Sequence, residues 1–378
     1  MREAWHRNNE KIYLIPQNLS EREVENHKQI AKKGTFTCPY CEAKLIVKSG
    51  DVLGNYFSHL HGEGCEISKQ SEARYKKYEK QKKNDTPRHP QILSLMNDEL
   101  EVLSRVYPHL TSSYGYLNTE FSKYIPDISL KINDQKYALT IITNISSSTD
   151  ATIAKNMDKQ KQYYESLGYE PLFFIERSHL GVDIDGQSLV LWATEHEALT
   201  TQKADKSWKC FLSNLAPIND YHQILNLPNT DFNVKSIMYI TPADEEIAIE
   251  AFHVLEQPNT TPVKAYFLSS PYKLTFSKAF KLAENTLLLA DMQIESGNQS
   301  IYAENFRQAK STFIEQQKEL ERIREEQEAL AKLKEKERRK QAEEKRKDYQ
   351  ESLKNSSYKK ADKIAKLELL KRTYNANN

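Results

Sequence analysis

Five candidate metal ligands fall within 28 residues of this chain, and no other feature limits its folding as tightly. Thr37-Cys38-Pro39-Tyr40-Cys41 places two thiols with two residues between them, and after seventeen intervening residues (42–58) come His59, then His61 and Cys65. A Cys-x-x-Cys pair forms a knuckle in which both sulfurs converge on one Zn²⁺ ion. Tetrahedral zinc takes four ligands, so Cys38, Cys41, His59 and Cys65 make a Cys₃His set, with His61 competing for either of the later places. Lys44–Ser49 reads as part of a strand pair with turns at Gly50 and Gly54, which describes a zinc ribbon. Such a segment is too small to bury a core, and bound metal would supply its folding energy. Four protein ligands leave no open position for water, so the expected role of the ion is structural rather than catalytic.

The chain has 378 residues, a length that suggests two or three domains. Its 54 Lys+Arg nearly cancel its 53 Asp+Glu, so attraction to nucleic acid has to come from local patches rather than from net charge. The hydrophobic fraction of 38% is low and the charged fraction of 28% slightly high, which implies a stretch of solvated helix without its own core. No run approaches the ~18 apolar residues of a membrane span. The start, Met-Arg-Glu-Ala-Trp-His-Arg-Asn-Asn-Glu, lacks the apolar segment of a signal peptide. The expected location is the cytoplasm, where the four cysteines are thiols or metal ligands rather than disulfides.

Punctuation along the chain sets the expected organisation. Residues 1–35 hold a short strand at 11–16 and a helix opened by Ser20 and Glu23 at capping-box spacing and closed at Gly34. The ribbon occupies 36–68, and a basic helix and linker occupy 69–90. Residues 69–83 carry seven cations against Glu72 and Glu79, a net +5. Within that helix Arg74, Lys76, Lys77, Lys80 and Lys82 are the candidate nucleic-acid contacts, and Tyr75 and Tyr78 interleave with them as rings able to stack on an unpaired base. Residues 91–182 read as a helix with apolar positions from Ile92 to Val106, strands at 127–132 and 137–142, a helix from about 152 to 167, and a buried strand at 171–175. Residues 183–303 fit a second α/β module with strands near 188–193, 235–240 and 264–268. Cys210, His222 and His253 lie there without ligand spacing and read as ordinary packing or surface.

From 304 to 354 the chain becomes a charged helix: 23 of the 34 residues between Glu315 and Asp348 are charged, 12 positive and 11 negative. Leu320, Ile323, Leu330 and Leu333 supply little more than one heptad of apolar seam, so a solvated helix laced with i,i+4 ion pairs is favoured over a coiled coil. A basic tail follows at 355–378.

The segment Phe36-Thr37-Cys38-Pro39-Tyr40-Cys41, followed by Tyr56-Phe57-Ser58-His59, resembles the N-terminal zinc ribbon of the competence protein CoiA family. In that family the ribbon precedes a nuclease-like α/β domain of the PD-(D/E)XK type. Pro126-Asp127, Tyr137–Asn144, and Tyr163-Tyr164 ahead of Gly168 and Leu172–Ile175 follow the same order, so the resemblance spans about residues 30–180. It implies a zinc ribbon followed by a restriction-endonuclease-like domain, and a role in handling DNA.

The same resemblance implies a catalytic pair of carboxylates holding Mg²⁺, which generates hydroxide and stabilises charge on the phosphate. Asp127 fills the first place. With Asn133–Lys136 as the turn, Ile132 pairs with Tyr137, Ser129 with Thr140 and Asp127 with Ile142, and the second acid and its following amide fall on Thr140 and Ile142. Glu120 and Asp134 are the other acids within reach in sequence, Asp134 in the hairpin turn where Asn and Asp cap tight turns. The expected function is therefore a zinc-containing, nucleic-acid-associated protein with an inactive nuclease-like domain that contacts DNA without regard to sequence. The alternatives are an active nuclease, which alone would require Mg²⁺, and a scaffold that recruits a protein partner through its charged C-terminal helix.

Overall fold

Ser20 and Glu23 fold as their spacing demands: Ser20 Oγ accepts from the Glu23 amide, and the Glu23 carboxylate accepts from the Ser20 amide, closing a capping box. The computed structural model describes residues 1–17, 19–50, 54–176, 181–183, 186, 188–225, 227, 232–243, 246–257, 260, 262–283 and 286–376. The box opens α1 (Glu21–Lys32), which follows β1 (Glu3–His6) and β2 (Lys11–Leu14) and ends at Gly34, whose φ of +81° lies in the left-handed region open to glycine. Next come β3 (Phe36–Thr37), β4 (Leu45–Gly50), β5 (Gly54–His59), α2 (Glu66–Lys82) and α3 (His89–Val106). Order β2-β1-β3 forms one small sheet and β4-β5 an antiparallel ribbon, packed through Phe36, Leu45, Val47 and Phe57. The tip of the expected ribbon turn, residues 51–53, lies outside the described residues.

The central region runs β6 (Leu110–Tyr114), β7 (Ile128–Ile132), β8 (Gln135–Ile142), α4 (Asp150–Ser166) and β9 (Glu170–Glu176). It holds one strand more than the sequence pattern suggested, because β6 is the polar run Leu-Thr-Ser-Ser-Tyr at the end of the sheet path. The following segment holds β10 (Ser188–Val190), α5 (Ala193–Ala198), α6 (Lys203–Leu215), α7 (Ile218–Leu225), β11 (Val234–Ala243), β12 (Glu246–Gln257), β13 (Lys264–Phe267) and β14 (Tyr272–Thr275). It closes with α8 (Phe276–Ala279), β15 (Leu282–Ala283), β16 (Thr286–Leu287) and α9 (Met292–Ala376).

The segment expected as a second module continues the sheet of the first. Nine described strands join in the order β10-β13-β12-β11-β9-β8-β7-β6, with β14 paired to the far end of β12. Strand β9 is parallel to both β8 and β11, and the sheet is buried on both faces there, as parallel sheets generally are. Period-two alternation divides it cleanly. Leu139, Ile141, Leu172 and Phe174 pack in the core that holds α3, whereas Ile142, Phe173, Ile175 and Tyr239 pack in the core that holds Met157 of α4.

The chain divides into two units, Met1–Glu304 and the remainder from Asn305. The second is helical, and its side chains from Ile314 to Thr373 are all exposed. Pairs such as Arg324–Glu328 at 3.3 Å and Arg339–Glu335 at 2.7 Å give it the solvated, ion-paired character read from its composition. Among the described residues no helix is long and apolar enough to cross a membrane.

Candidate metal centre and the Asp127 cluster

Cys38 and Cys41 sit on a tight turn between β3 and β4. The Cys38 amide donates to Ala43 O at 2.8 Å, the Glu42 amide donates to Cys38 O at 2.9 Å, and Glu42 takes a φ of +59°. His59 ends β5, and Cys65 is the N-cap of α2. The four ligand atoms all lie within 4.8 Å of one another, with Cys38 Sγ 3.9 Å from Cys65 Sγ and Cys41 Sγ 3.2 Å from His59 Nε2. Tetrahedral zinc with Zn–S bonds of about 2.3 Å puts two sulfurs about 3.8 Å apart, so the donor set fits the ion in type, number and spacing. His61, the competing ligand, is exposed and outside the group.

The thiols differ in their metal-free chemistry. Burial pushes Cys38 up to about 12. At Cys65 burial acts the same way, but hydrogen bonds with Ser68, Cys41 and Cys38 together outweigh it and hold the thiol below its usual value. A thiolate at a helix N-cap also faces the positive end of the helix dipole. The ribbon is tied to α2 by Glu3, a buried carboxylate that accepts from Ser71 Oγ at 2.6 Å and Tyr40 Oη at 3.2 Å.

At the other end of α2 the structure gathers a second set of polar residues around Asp127. The β7–β8 register pairs Ile128 with Leu139 and Ile132 with Gln135, two residues away from the expected pairing. The reason is a two-residue turn, Asn133-Asp134, with Asn133 at φ +51°. Continuing that register sets Asp127 opposite Thr140 rather than Ile142. The carboxylate is 1% exposed and accepts four hydrogen bonds: Tyr78 Oη at 2.5 Å and His89 Nε2 at 2.9 Å to Oδ1, Lys82 Nζ at 2.9 Å and the Ile141 amide at 2.6 Å to Oδ2. Lys82 Nζ also donates to Ile141 O at 2.9 Å and lies 3.4 Å from Asp85. Burial opposes ionisation of Asp127, yet Lys82 and His89 hold its carboxyl far below the usual carboxylate range. The same ion pairing holds the Lys82 ammonium above its ordinary value against the effect of burial.

This arrangement corrects part of the nucleic-acid set. Lys82 is an internal cation, 13% exposed, and its partner is Asp127. Arg74 is half-buried and donates to Tyr116 O at 2.8 Å, and the Tyr78 ring is buried against Tyr116 rather than free to stack on a base. Lys76, Lys77 and Lys80 remain exposed on the outer face of α2. Neither further acid joins Asp127: Glu120 pairs with Lys136 at 3.0 Å, and Asp134 is exposed in the turn. Among the described residues no second group of His, Cys, Asp or Glu converges as metal ligands do. A carboxylate has about four lone-pair positions, and all four at Asp127 are in use.

A third polar cluster escaped the sequence reading. His253, which read as ordinary packing, is 1% exposed on β12; its Nδ1 lies 2.8 Å from Asp205 Oδ1 and 3.0 Å from Ser236 Oγ. Its Nε2 is 3.1 Å from Glu295 Oε1, close but poorly aligned for a hydrogen bond. Glu295 also accepts from Trp208 Nε1 at 2.6 Å and from Tyr272 Oη.

Comparison with known families matches residues 18–68 to the model described as competence protein CoiA, N-terminal domain. The resemblance read from the cysteine and histidine spacing is borne out over that stretch, and the Cys₃His group lies within it. No curated protein and no solved structure matches the chain.

Proposed function

Taking the CoiA N-terminal domain at residues 18–68 as premise, we propose that this protein is a zinc-containing, nucleic-acid-associated protein whose nuclease-like domain does not cut. The observation that carries this reading is the saturation of Asp127. A metal-dependent nuclease needs carboxylate lone pairs on the ion that generates its hydroxide. Here one carboxylate is spent on an ammonium, an imidazole, a phenol and an amide, and the residue opposite it is Thr140, which has no charge to offer. Lys82 supplies the positive charge that a divalent ion would otherwise bring to Asp127. DNA contact in this reading is electrostatic and indifferent to sequence, made by the exposed Lys76, Lys77 and Lys80 together with the ribbon.

The test is a cleavage assay on single- and double-stranded DNA with Mg²⁺ or Mn²⁺, run beside Asp127→Ala. The expected result is no cutting by either protein and salt-sensitive binding by both. Robust cutting that disappears in Asp127→Ala would overturn the proposal in favour of an active nuclease. The exposed apolar residues Leu320, Ile323, Leu330 and Leu333 of α9 support a further role in recruiting a protein partner, tested by whether truncation before Glu315 abolishes partner capture while leaving DNA binding intact.

A further inference from the structure

A cavity of about 520 Å³ opens where the N-terminal sheet meets α2, α3 and β6. Its walls are aromatic and apolar: Tyr75 and Tyr78 from α2, Tyr114 and Tyr116 from β6 and the turn after it, with Pro87 and Leu93. Ring centroids are 5.0 Å apart for Tyr75–Tyr116 and 6.1 Å apart for Tyr114–Tyr116, so the rings support one another. Two basic side chains, Arg2 and His89, share the lining, and no Asp or Glu does. Arg2 is held by Nη1 to Asn55 O at 3.0 Å and Nη2 to Ile15 O at 2.7 Å, which sets its guanidinium 5.5 Å from the Tyr75 ring centroid. Arg2 Nε and the Tyr116 hydroxyl are buried and have no hydrogen-bond partner.

We propose that this cavity takes an unpaired nucleobase. The volume is ample for a nucleotide, and a concave apolar site with a few polar groups is the usual form of a ligand pocket. Tyr75 and Tyr114 are the half-buried rings open to a flat π-system, with Tyr78 and Tyr116 packed behind them, and base–aromatic stacking is how single strands are held without regard to sequence. The charge pattern favours an anionic ligand: the Arg2 guanidinium lines the cavity without a carboxylate, and the exposed Lys76, Lys77 and Lys80 follow Tyr75 within about a turn and a half of the same helix, where a phosphate backbone would pass. Arg2 and Tyr75 are shared with a neighbouring hollow of about 500 Å³, where Lys69 and Lys76 are paired with Glu63 and Glu72 and Glu79 also lines the wall, so the cation-only lining belongs to the first cavity alone. The proposal deepens the nucleic-acid reading above by naming what is bound and where.

The probe is 2-aminopurine, whose fluorescence is quenched on stacking, placed once in a single-stranded oligonucleotide, once in its duplex, and once as the free deoxynucleoside monophosphate. The full chain should quench the single strand and spare the duplex. Tyr75→Ala and the cavity-filling Ser94→Trp, at an exposed position of α3, should each abolish the quenching and weaken strand binding at least about fivefold. Charge reversal at Lys76, Lys77 and Lys80 should weaken binding but leave the quenching at saturation unchanged. Ser94→Trp replaces no buried side chain, so its effect stands even if Tyr75→Ala fails to fold. Quenching of the free nucleotide but not of the strand, sensitive to Ser94→Trp, would support the cavity and overturn the nucleic-acid reading. Strand binding with no quenching would overturn the cavity and spare that reading. Indifference to every nucleotide probe, or occupation by a proline-rich peptide instead, overturns the proposal.

Discussion

The sharpest stability test lies at His253. The imidazole is almost wholly buried between Asp205 and Glu295, and although burial alone would lower its pKa, the two carboxylates raise it to about 9. An unfolded-state histidine titrates near 6.5, so the gap of about 2.5 units at about 1.4 kcal/mol per unit makes the protonated form worth roughly 3 kcal/mol to the folded state. Because the folded pKa is the higher one, this contribution is complete below pH ~6.5 and disappears as pH rises through about 9. Urea unfolding of the full chain at a series of pH values, followed by tryptophan fluorescence, reads it directly. Trp208 donates to Glu295 at 2.6 Å and reports the cluster itself. His253→Gln should cost about 3 kcal/mol at pH 6 and little of that should remain at pH 10, because glutamine has no charge to lose. A difference between the two proteins that stays constant from pH 6 to pH 10 would show that the imidazole is neutral in the fold, and the reasoning fails.

Further expectations follow from the other two clusters. Elemental analysis should find one zinc per chain, lost with Cys38→Ser and unchanged in Cys210→Ser, which lies outside the ligand group; no zinc in the wild-type protein refutes the centre. Lys82→Met leaves the Asp127 and Asp85 carboxylates facing a buried space without their cation and should cost about 3–5 kcal/mol in chemical denaturation. Asp127 has a depressed folded pKa, so its contribution is present above the unfolded value near 4 and is lost below it; Asp127→Asn should flatten the acid limb of the stability curve, and an unaltered limb would argue against the ion pair. Charge reversal at Lys76, Lys77 and Lys80 should reduce the slope of log K against log[salt] for single-stranded DNA by about 2, at about 0.7 per phosphate contact, and an unchanged slope would place the contact elsewhere.

Local rules carried far into this structure, and they failed where partners are distant in sequence. The capping box at Ser20 and Glu23, the Gly34 terminus and all four metal ligands are set by spacing within a few dozen residues, and each is where spacing puts it. The hairpin register differs by two from that of a four-residue turn because Asn133-Asp134 closes it alone with a left-handed asparagine, a signal present in the sequence. The charge around Lys82 in the sequence points to a surface cation. Yet Ser68, Ser71, Tyr75, Tyr78 and Lys82 recur at helical spacing, and that stripe, polar as it is, faces inward. His253 offered no such clue. It alternates with Phe252 and Val254 as any strand residue would, and its carboxylate partners lie 48 residues before it and 42 after it on other elements. The continuity of the sheet across residue 183 was equally invisible, since β9 meets β11 only after three helices intervene.

Helix α2 begins at a metal ligand, Cys65 as its N-cap, and ends at Lys82, the cation of the Asp127 pair, about 25 Å further on. The two ends are therefore locked in rotational phase as well as in distance. Each residue added or removed between Cys65 and Lys82 turns one end against the other by about 100° and shifts it by about 1.5 Å. A single insertion would carry the ammonium away from the carboxylate while leaving composition and charge untouched. This stretch is consequently intolerant of any change in length, though its outer face accepts changes of residue, and a chain that kept both clusters would have to keep the same seventeen steps between them.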